Sequence, residues 1–503
     1  MFILQYDRGD ENYYMLDLDR RRSISGQSIR HIDNSLPSSA YSILNGYAIA
    51  LEGWRRGLNL SGKISYEWGP KSRIFRYTLS DGKGTSYDFN SAAPSIMEDE
   101  ARRICRKKEL TKQAFIENGV PHAEGTFFNS DTPYSEMIEY AAKIGYPVVV
   151  KPNDSYGGKG ITTDIQNDQQ LEEALDALKP DMNKHTKIII EKCFTGEDFR
   201  VYVIEDEVIA SVQRVPANVT GDGKSTIMEL INEKNKIRRV SKGPSNRKII
   251  GIDEELKNTL IEKKVTLDTV LPEGELFFLK KKANVSSGGE SIDVTDELSE
   301  EHKRAAVKAV QAIEGLHVGA VDLLIDEEKG TAIVLEINTK PGLDIQMYPT
   351  FGKARDIPTK LIDYLFPDTI NYKKVSARRM YFDFDSLFEM TFKRTIFKSV
   401  EIPKIPTNIV LKKYVITLPT NKQDAFMGAV QRAAHRYQIS GSLKKLSDRL
   451  VLVMGGNSRN IKSVLEIIQE KLDSYGQTTT MKEMLRTKPV RQGFDLIDKV
   501  KDK

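Results

Sequence analysis

The amino-acid sequence predicts an α/β (α+β) protein that is divided into several domains. In the central part of the chain, β-branched runs such as YPVVVKP alternate with helical runs such as QQLEEALDALKP, which is typical of mixed α/β domains. Beyond residue 408 a separate succession of elements begins, and it reads β-α-β-β-α. A length of 503 residues agrees with this division, because it is typical of about two to four domains.

Composition narrows the class of protein. The chain is 39% hydrophobic and 29% charged, as globular proteins usually are, and its net charge of +4 is too small to indicate nucleic-acid binding. No apolar run approaches the roughly 20 residues of a membrane span, and the first residues lack the order of a signal peptide. Only Cys105 and Cys193 occur, so neither a disulfide framework nor a zinc cluster is indicated. We expect a cytoplasmic protein that binds neither membrane nor nucleic acid.

The N-terminal residues 1–98 are predicted to form an α/β domain of their own. The run SSAYSILNGYAIALEGWRRG has an apolar stripe at helical spacing and stops at a glycine. Three strand-like runs follow it: GKISYEWG, SRIFRYTLSD and GTSYDFN. A single helix is then expected over residues 96–118, closed by Gly119 and Pro121.

A carboxylate hairpin at residues 318–342, VGAVDLLIDEEKGTAIVLEINTKPG, is the most informative segment. Two β-rich runs flank a short polar turn, and period-two alternation puts Glu336 and Asn338 on one face, with Asp322 nearly opposite Glu336. Directly opposed like charges destabilise a strand pair, so a cation is expected between them. Oxygen ligands of this kind suit Mg²⁺ that carries nucleotide phosphates, although an exposed acidic hairpin face is the alternative.

A glycine-rich loop, NDSYGGKG, follows the strand YPVVVKP. Its glycines, Gly157, Gly158 and Gly160, would let backbone N–H groups approach a phosphate, and Lys151 and Lys159 add positive charge. A strand follows the loop and no GKS or GKT occurs, so the segment is neither a Walker loop nor a dinucleotide fingerprint. A plain hairpin turn is an equally good interpretation of this loop alone.

Two further segments carry candidate nucleotide contacts. The strand IIIEKCF ends at Glu191, Cys193 and Phe194, where a buried strand turns polar and can offer backbone groups to a purine, with Asp198 following. Earlier, Lys108 lies four residues before Lys112 on one face of a predicted helix. Taken singly, a solvent-facing strand end and surface lysines explain these residues equally well.

Taken together, the basic helix, the strand with its glycine loop, the Glu-Lys-x-Phe strand and the motif Asp…Glu-x-Asn-x-x-Pro-Gly resemble the ATP-grasp superfamily over about residues 95–367. Within it, the sequence is similar to the ATP-grasp part of cyanophycin synthetases and of bifunctional glutathione synthetases. The segments that carry this similarity are RVPANVTGDGKSTIMELI (214–231), KKKANVSSGGESIDVTDEL (280–298), GAVDLLI, VLEINTKPG and YPTFGKARDIPTKLIDYLFP (348–367).

The resemblance implies an ATP-grasp fold and a role for each matching residue. The domain would span 99–370, with a lid subdomain at about 120–200, a substrate excursion at 216–290 and the metal hairpin at 318–342. The residues that it implies for ATP are Lys108 and Lys151 for the phosphates, Gly157, Gly158, Lys159 and Gly160 for the lid, Glu191, Cys193 and Phe194 for adenine, and Asp198 for ribose. It implies Asp322, Glu336 and Asn338 as ligands of Mg²⁺ (or Mn²⁺), and Arg214, Lys224 and Asn284 as catalytic residues that handle phosphate and substrate carboxylate.

Residues 371–408 are expected to be a linker, and 409–503 a ferredoxin-like accessory domain. The tail matches acylphosphatase in element order only and lacks the GxVQGVxFR-type loop of that enzyme, so no catalysis is assigned to it. Residues 371–449 hold 16 Lys or Arg against 6 Asp or Glu. This basic region either docks an acidic substrate or partner or is simply a solvated surface. The chain lacks a second phosphate loop after residue 375, so we expect a stand-alone ligase with its own tail.

The expected function is an ATP-dependent carboxylate–amine ligase, which joins small-molecule carboxylate and amine substrates through an acyl phosphate. Two alternatives stay open. One is a ligase that adds an amino acid to a protein or peptide held at the basic C-terminal region, and the other is a non-catalytic ATP-binding regulatory or scaffold protein. Dimers are common in this superfamily, so the resemblance also leaves a homodimer open.

Overall fold

The structure is a computed structural model, and the residues that it describes are 2–6, 13–17, 22–25, 44–66, 73–153, 160–179, 186–241, 243, 245–372, 378–382, 399–476, 479–486 and 488–498. They fall into two compact units. The first unit comprises residues 1–28 and 93–357, and the second comprises residues 29–92 and 358–503. Residues 44–92 thus group with the tail. The sequence predicted a separate N-terminal domain, and the bounds of the four predicted segments remain predictions.

A four-stranded antiparallel sheet, here called the lid sheet, lies in the first unit. Its strands in spatial order are Thr162–Ile165, Val148–Pro152, Lys187–Lys192 and Gly125–Asn129. The helices Tyr134–Ile144 and Asp168–Leu178 cover one face, where side chains such as Val148, Val150 and Ile190 are fully buried. Period-two alternation leaves the other face to Lys151 and Glu191.

A five-stranded antiparallel sheet, here called the central sheet, is the second layer of this unit. Its strands in spatial order are Glu290–Asp293, Glu207–Val215, Glu197–Ile204, Val318–Asp326 and Thr331–Asn338. The helix Glu300–Gln311 packs on the face that carries buried apolar residues such as Val321 and Leu323. The opposite face carries the charged residues that the sequence singled out.

The remaining elements of the first unit connect and flank these sheets. The other helices are Asp99–Arg106, Lys108–Glu117, Ile227–Val240, Glu254–Glu262 and Asp344–Met347, with 3₁₀ turns at Ser245–Arg247 and Val285–Ser287. The other strands are Phe2–Tyr6, Tyr13–Asp17 and Arg22–Ser25, which form one antiparallel sheet, the pair Asn218–Thr220 and Leu276–Phe278, and Ala93–Pro94.

The expectation of one helix over residues 96–118 is wrong. Lys107 has extended backbone angles (φ −108°, ψ 103°) and separates the helix Asp99–Arg106 from the helix Lys108–Glu117. The hydroxyl of Thr111 donates to the carbonyl of Ile104 at 2.8 Å across this break. No glycine or proline marks the position, so the sequence carried no signal for it.

The second unit begins with the helix Leu44–Arg55, which ends before Gly57 (φ +89°) as the sequence predicted. A sheet made of the strands Val400–Ile402, Asn59–Tyr66, Arg73–Ser80 and Ser86–Asn90, in that order, packs beside it. The unit also contains the helix Ile357–Leu365 from Pro358 onward and a 3₁₀ turn at Pro367–Thr369. Within this sheet, Tyr77 stacks on Phe75 and on Phe89 at centroid distances of 4.9 and 4.6 Å.

The tail of the second unit has the predicted ferredoxin-like order. Its sheet, the tail sheet, runs Thr480–Met484, Ile409–Thr417, Leu450–Asn457, Ser440–Lys445 and Phe494–Asp498, with helices Thr420–Arg436 and Ser458–Asp473 on one face. The first four strands follow the split βαβ pattern, and the fifth adds in parallel to Ser440–Lys445. A short parallel pair, Met380–Tyr381 with Val490–Arg491, joins the tail to the segment before it.

Candidate functional site

The carboxylate of Asp322 lies in the middle of the central sheet and is 4% exposed. It is in register with Glu336 on the second hairpin strand, which confirms the predicted register, and with Arg200 on the other neighbouring strand. Leu323 pairs with Val334, so Leu335 on the second strand is a bulge, and this bulge brings Glu336 opposite Asp322. One cross-strand row therefore carries Arg200, Asp322 and Glu336 on the same face.

Two guanidinium groups neutralise Asp322. Arg200 donates from Nε to Oδ1 and from Nη2 to Oδ2, both at 2.8 Å, and Arg214 donates from Nη2 to Oδ2 at 3.0 Å. The sequence predicted a cation between the opposed carboxylates. Arg200, which the sequence analysis missed, supplies part of that positive charge. Its position two residues after Asp198, on the same face of the same strand, was the available signal.

Burial alone would raise the pKa of Asp322, but Arg200 and Arg214 outweigh it and hold the pKa below its usual value. The carboxylate is therefore ionised at neutral pH. A buried charge is strongly destabilising once its partner is removed, so Asp322 and the two arginines depend on one another for stability.

Arg214 bridges Asp322 and Asp198, since its Nε also donates to Asp198 Oδ1 at 2.6 Å. Asp198 lies directly across from Arg214 on the neighbouring strand. Burial raises the pKa of Asp198 to about 6, although Arg214 opposes the shift. The structure thus brings together three of the predicted site residues in one charged cluster, which also contains Arg200.

The three predicted metal ligands offer oxygen donors of the right chemistry. Glu336 is exposed and accepts a long hydrogen bond from Asn338 Nδ2 at 3.4 Å, which leaves the amide oxygen of Asn338 available. Asp322 has about four lone-pair sites, and the arginines use three of them. This donor set fits a Mg²⁺ or Mn²⁺ ion that takes its remaining ligands from a nucleotide. The third donor of this set is an amide oxygen. Among the described residues, no group made of three or more His, Cys, Asp or Glu side chains alone could hold a metal ion.

A second charged cluster lies on the lid sheet. Glu191 accepts hydrogen bonds from Lys151 at 2.5 Å and from Lys112 at 2.8 Å, and Lys112 also donates to the carbonyl of Ala123 at 2.9 Å. Burial raises the pKa of Glu191, but Lys151 and Lys112 outweigh it, and the net pKa is lowered. Lys112, which was noticed only as a neighbour of Lys108, is the second lysine of this cluster.

The glycine-rich loop is described only in part. Gly157, Gly158 and Lys159 lie outside the described residues, so their predicted roles remain predictions. Gly160 has φ +70°, and a Cβ there would stand 3.1 Å from a methyl group of Leu178. Beside the start of the loop, Lys108 Nζ donates to the carbonyl of Asn153 at 3.3 Å.

The predicted adenine strand ends at Lys192, and Cys193 and Phe194 follow it. The N–H of Cys193 already donates to the carbonyl of Pro147 at 2.9 Å, so it is not available to a purine. Phe194 is partly exposed. Within the described part of the chain, its N–H donates to no other group, and this N–H is therefore the better candidate.

Lys224 and Asn284 make no hydrogen bond or ion pair with the Asp322 cluster among the described residues. Lys224 is exposed, and its backbone N–H donates to Asp222 at 2.9 Å. The side chain of Asn284 accepts from the N–H and the hydroxyl of Ser286 and caps a 3₁₀ turn. Their predicted catalytic roles therefore stay predictions, and the visible role of Asn284 is local.

A buried network holds the excursion 216–290 together. Glu290, 3% exposed, accepts from Lys234 Nζ at 2.7 Å and from Asn218 Nδ2 at 3.0 Å, with Arg238 at 3.8 Å. Burial alone would raise the pKa of Glu290, but Lys234 outweighs it and lowers the pKa.

A cavity of about 100 Å³ lies beside Glu290, and Glu197 and Gln213 are among the residues that line it. These two residues alternate with Asp198 and Arg214 along their strands, so the cavity lies on the other side of the central sheet from the Asp322 cluster. None of the predicted site residues lines it.

Two protein-family models match this part of the chain. Residues 105–261 match the RimK-like ATP-grasp domain, and residues 254–366 match the D-ala D-ala ligase C-terminus. Both sheets and both charged clusters fall within this stretch. Residues 105–366 are therefore an ATP-grasp domain.

The chain is also similar to curated proteins over about half of its length. Its relatives include the cyanophycin synthetase of Trichormus variabilis, which is 35% identical over 269 residues, 52% of this chain and 29% of the relative. The glutathione biosynthesis bifunctional protein GshAB of Enterococcus faecalis is 32% identical over 297 residues, 57% of this chain and 37% of the relative. The chain thus spans about a third of the length of these curated relatives.

Among solved structures, a bifunctional glutathione synthetase from Pasteurella multocida is similar with a TM-score of 0.45 and 28% identity, covering 58% of this chain and 40% of that one. Cys105 and Cys193 are free. Among the described residues, no helix has both the length and the apolar character that a membrane span requires.

Proposed function

We propose that this protein is an ATP-dependent carboxylate–amine ligase, which forms an amide bond through an acyl phosphate and releases ADP and phosphate. The acyl donor is an amino acid or short peptide, and the acceptor is an amino compound. The observation that carries the proposal is the buried Asp322 held between Arg200 and Arg214, in register with Glu336, inside an ATP-grasp domain.

The chain's own residues divide into a nucleotide side and a reaction side. On the nucleotide side, Lys108 and Lys151 hold phosphates, under a lid formed by Gly157, Gly158, Lys159 and Gly160. Glu191 and the Phe194 N–H bind adenine, and Asp198 accepts from ribose hydroxyls. Lys112 fixes the Glu191 carboxylate through its 2.8 Å contact, which supports a pre-positioned site.

On the reaction side, Asp322, Glu336 and Asn338 hold the divalent cation. When bound, this cation supplies positive charge at the β- and γ-phosphates. Arg200 fixes the Asp322 carboxylate by its two parallel hydrogen bonds, so one lone pair of Oδ1 stays aimed away from the arginines.

The reaction follows from the chemistry of the donor. A carboxylate is a poor acyl donor, because its leaving group would be oxide. When the carboxylate oxygen bonds to the γ-phosphorus, the bond to the β–γ bridging oxygen breaks and ADP leaves. The amine nitrogen then attacks the acyl carbon, the C–O bond to phosphate breaks, and the amine proton goes to solvent. Arg214 presents a fixed positive charge to the oxygens that gain negative charge in these steps.

A screen of ATP consumption tests the proposal. The purified chain is given ATP, Mg²⁺ and pairs from a panel of amino acids, dipeptides and amines, and phosphate release is measured with product mass in the positive wells. We expect release only when both carboxylate and amine are present. If ADP formation stays at background across the whole panel, or does not depend on the amine, the ligase proposal is wrong.

A ligase that modifies a protein or peptide is the second candidate, and the positive charge of the tail favours it. The acceptor distinguishes the two kinds of ligase. A ligase that modifies a polypeptide would give no product with small amines and would give product with a polypeptide. A regulatory or scaffold role predicts nucleotide binding without turnover for every acceptor.

A further inference from the structure

One face of the tail sheet carries neither of the two tail helices. The helices pack on the other face, where Tyr414, Ile416, Leu443 and Leu452 are buried in the core. Since side chains alternate along each strand, the residues next to these point to the opposite face. We call this opposite face the open face.

The strand registers place two cross-strand rows on the open face. The first row is Lys482, Val415, Val451, Lys444 and Ile497, and the second is Met484, Lys413, Val453, Ser442 and Asp495. Met484 and Ile497, at the ends of the rows, are 41% and 38% exposed. Next to these rows, Val490 covers the sheet at Gly455, and Val453 in the second row is only 9% exposed. The accessible apolar atoms are therefore those of Val415 and Val451, which are half-buried, and of Met484 and Ile497.

The lysines of the two faces differ in their partners. On the helix-bearing face, Lys412 pairs with Glu483 at 2.5 Å and Lys445 pairs with Asp424 at 2.7 Å. On the open face, Lys413, Lys444 and Lys482 form no ion pair or hydrogen bond with any residue in the described part of the chain.

The open face therefore has a net positive charge. Its one acidic residue, Asp495, is neutralised by an ion pair with Arg491. Three free ammonium groups thus surround a strip of valines, and nothing in these rows balances their charge.

We propose that the open face binds an acidic polypeptide segment. The free ammonium groups of Lys413, Lys444 and Lys482 take its carboxylates, and the strip between them takes its aliphatic atoms. The ten side chains of the two rows include no aromatic ring, so the face offers no stacking platform for nucleic-acid bases. This surface goes beyond the proposed ligase reaction, and it is testable by binding alone.

Binding of a fluorescent poly-L-glutamate peptide to the full chain, measured by fluorescence anisotropy at low salt and at about 0.15 M salt, tests the proposal. The test variant is Lys413→Gln/Lys444→Gln/Lys482→Gln. The matched control is Lys412→Gln/Lys445→Gln/Lys462→Gln, which removes the same formal charge away from the open face. Single-stranded RNA of the same charge is the competing probe, and thermal unfolding checks that each variant is folded.

We expect saturable binding of poly-glutamate that weakens with salt and a loss of affinity on the order of tenfold in the test variant, from several modest contacts. The control variant should lose little. Equal losses in the two variants would overturn the proposal, because net charge and not the open face would then govern binding. Tighter binding of RNA, or no binding by the wild-type chain, would also overturn it. None of these outcomes alters the ligase proposal, which rests on product formation.

Discussion

Replacing Asp322 with Asn removes one negative charge and almost no volume from the centre of the central sheet. Arg200 then loses the negative charge that accepts its two 2.8 Å hydrogen bonds. Arg214 keeps its hydrogen bond to Asp198. The Arg200 and Arg214 side chains are only 18% and 15% exposed, so solvent replaces little of what is lost. Breaking a buried pair from one side typically costs about 3–5 kcal/mol. Since Asn still accepts one hydrogen bond, we expect about 3 kcal/mol for Asp322→Asn.

Hydrogen exchange measures this loss of stability for each strand separately, which a global unfolding experiment on a chain of two units does not. It is measured without nucleotide or divalent metal, so that only the contacts within the protein contribute. A loss of about 3 kcal/mol corresponds to exchange on the order of a hundredfold faster in peptides that cover strands Glu197–Ile204 and Val318–Asp326. The matched control is Asp326→Asn, on the same strand and face, where the carboxylate pairs with the exposed Lys329. Unchanged protection in Asp322→Asn would refute the claim that the arginines depend on this carboxylate.

Three further predictions concern the two clusters. Lys151→Ala should weaken ATP binding at least tenfold in calorimetry through loss of a charged hydrogen bond. Lys179→Ala, at an exposed lysine that follows the helix Asp168–Leu178, should not weaken it; equal affinities of the two variants would remove Lys151 from the phosphate site. Glu336→Ala should abolish ATP turnover and leave unfolding unchanged, since the side chain is exposed; retained turnover would contradict its metal role. The pKa of Glu191 is lowered by its lysines, so its stabilising effect is present above the ordinary value of about 4.3 and is lost as pH falls through the lowered value. Hydrogen exchange of the lid sheet in acid should therefore depend less on pH in Glu191→Gln, and identical profiles would count against the pairing.

The sequence predicted the hairpin well because its register follows from local rules. Period-two alternation and a short turn placed Asp322 nearly opposite Glu336. The bulge between Asp322 and Leu323 completes the pairing, and nothing in the sequence marked it. The helix Leu44–Arg55 and the tail order were likewise written in local periodicity and turn residues.

The partners of those residues were not predictable in the same way. Arg200 and Lys112 reach Asp322 and Glu191 across strands or from a helix, over sequence separations of 122 and 79 residues. Nothing local marks such pairs, since an arginine on a strand reads as a surface residue until its neighbours are known. The break at Lys107 and the strand Phe494–Asp498 escaped for a related reason, because tertiary contacts and not propensity set them.

The most direct test of the ligase account uses a donor labelled with ¹⁸O in its carboxylate, together with the substrate pair that the screen identifies. An acyl phosphate requires that one carboxylate oxygen leaves with the phosphate. An acyl-phosphate intermediate therefore gives inorganic phosphate that carries one ¹⁸O atom and an amide product that keeps the other, as read by mass spectrometry. Unlabelled phosphate from a reaction that still forms the amide would contradict the account.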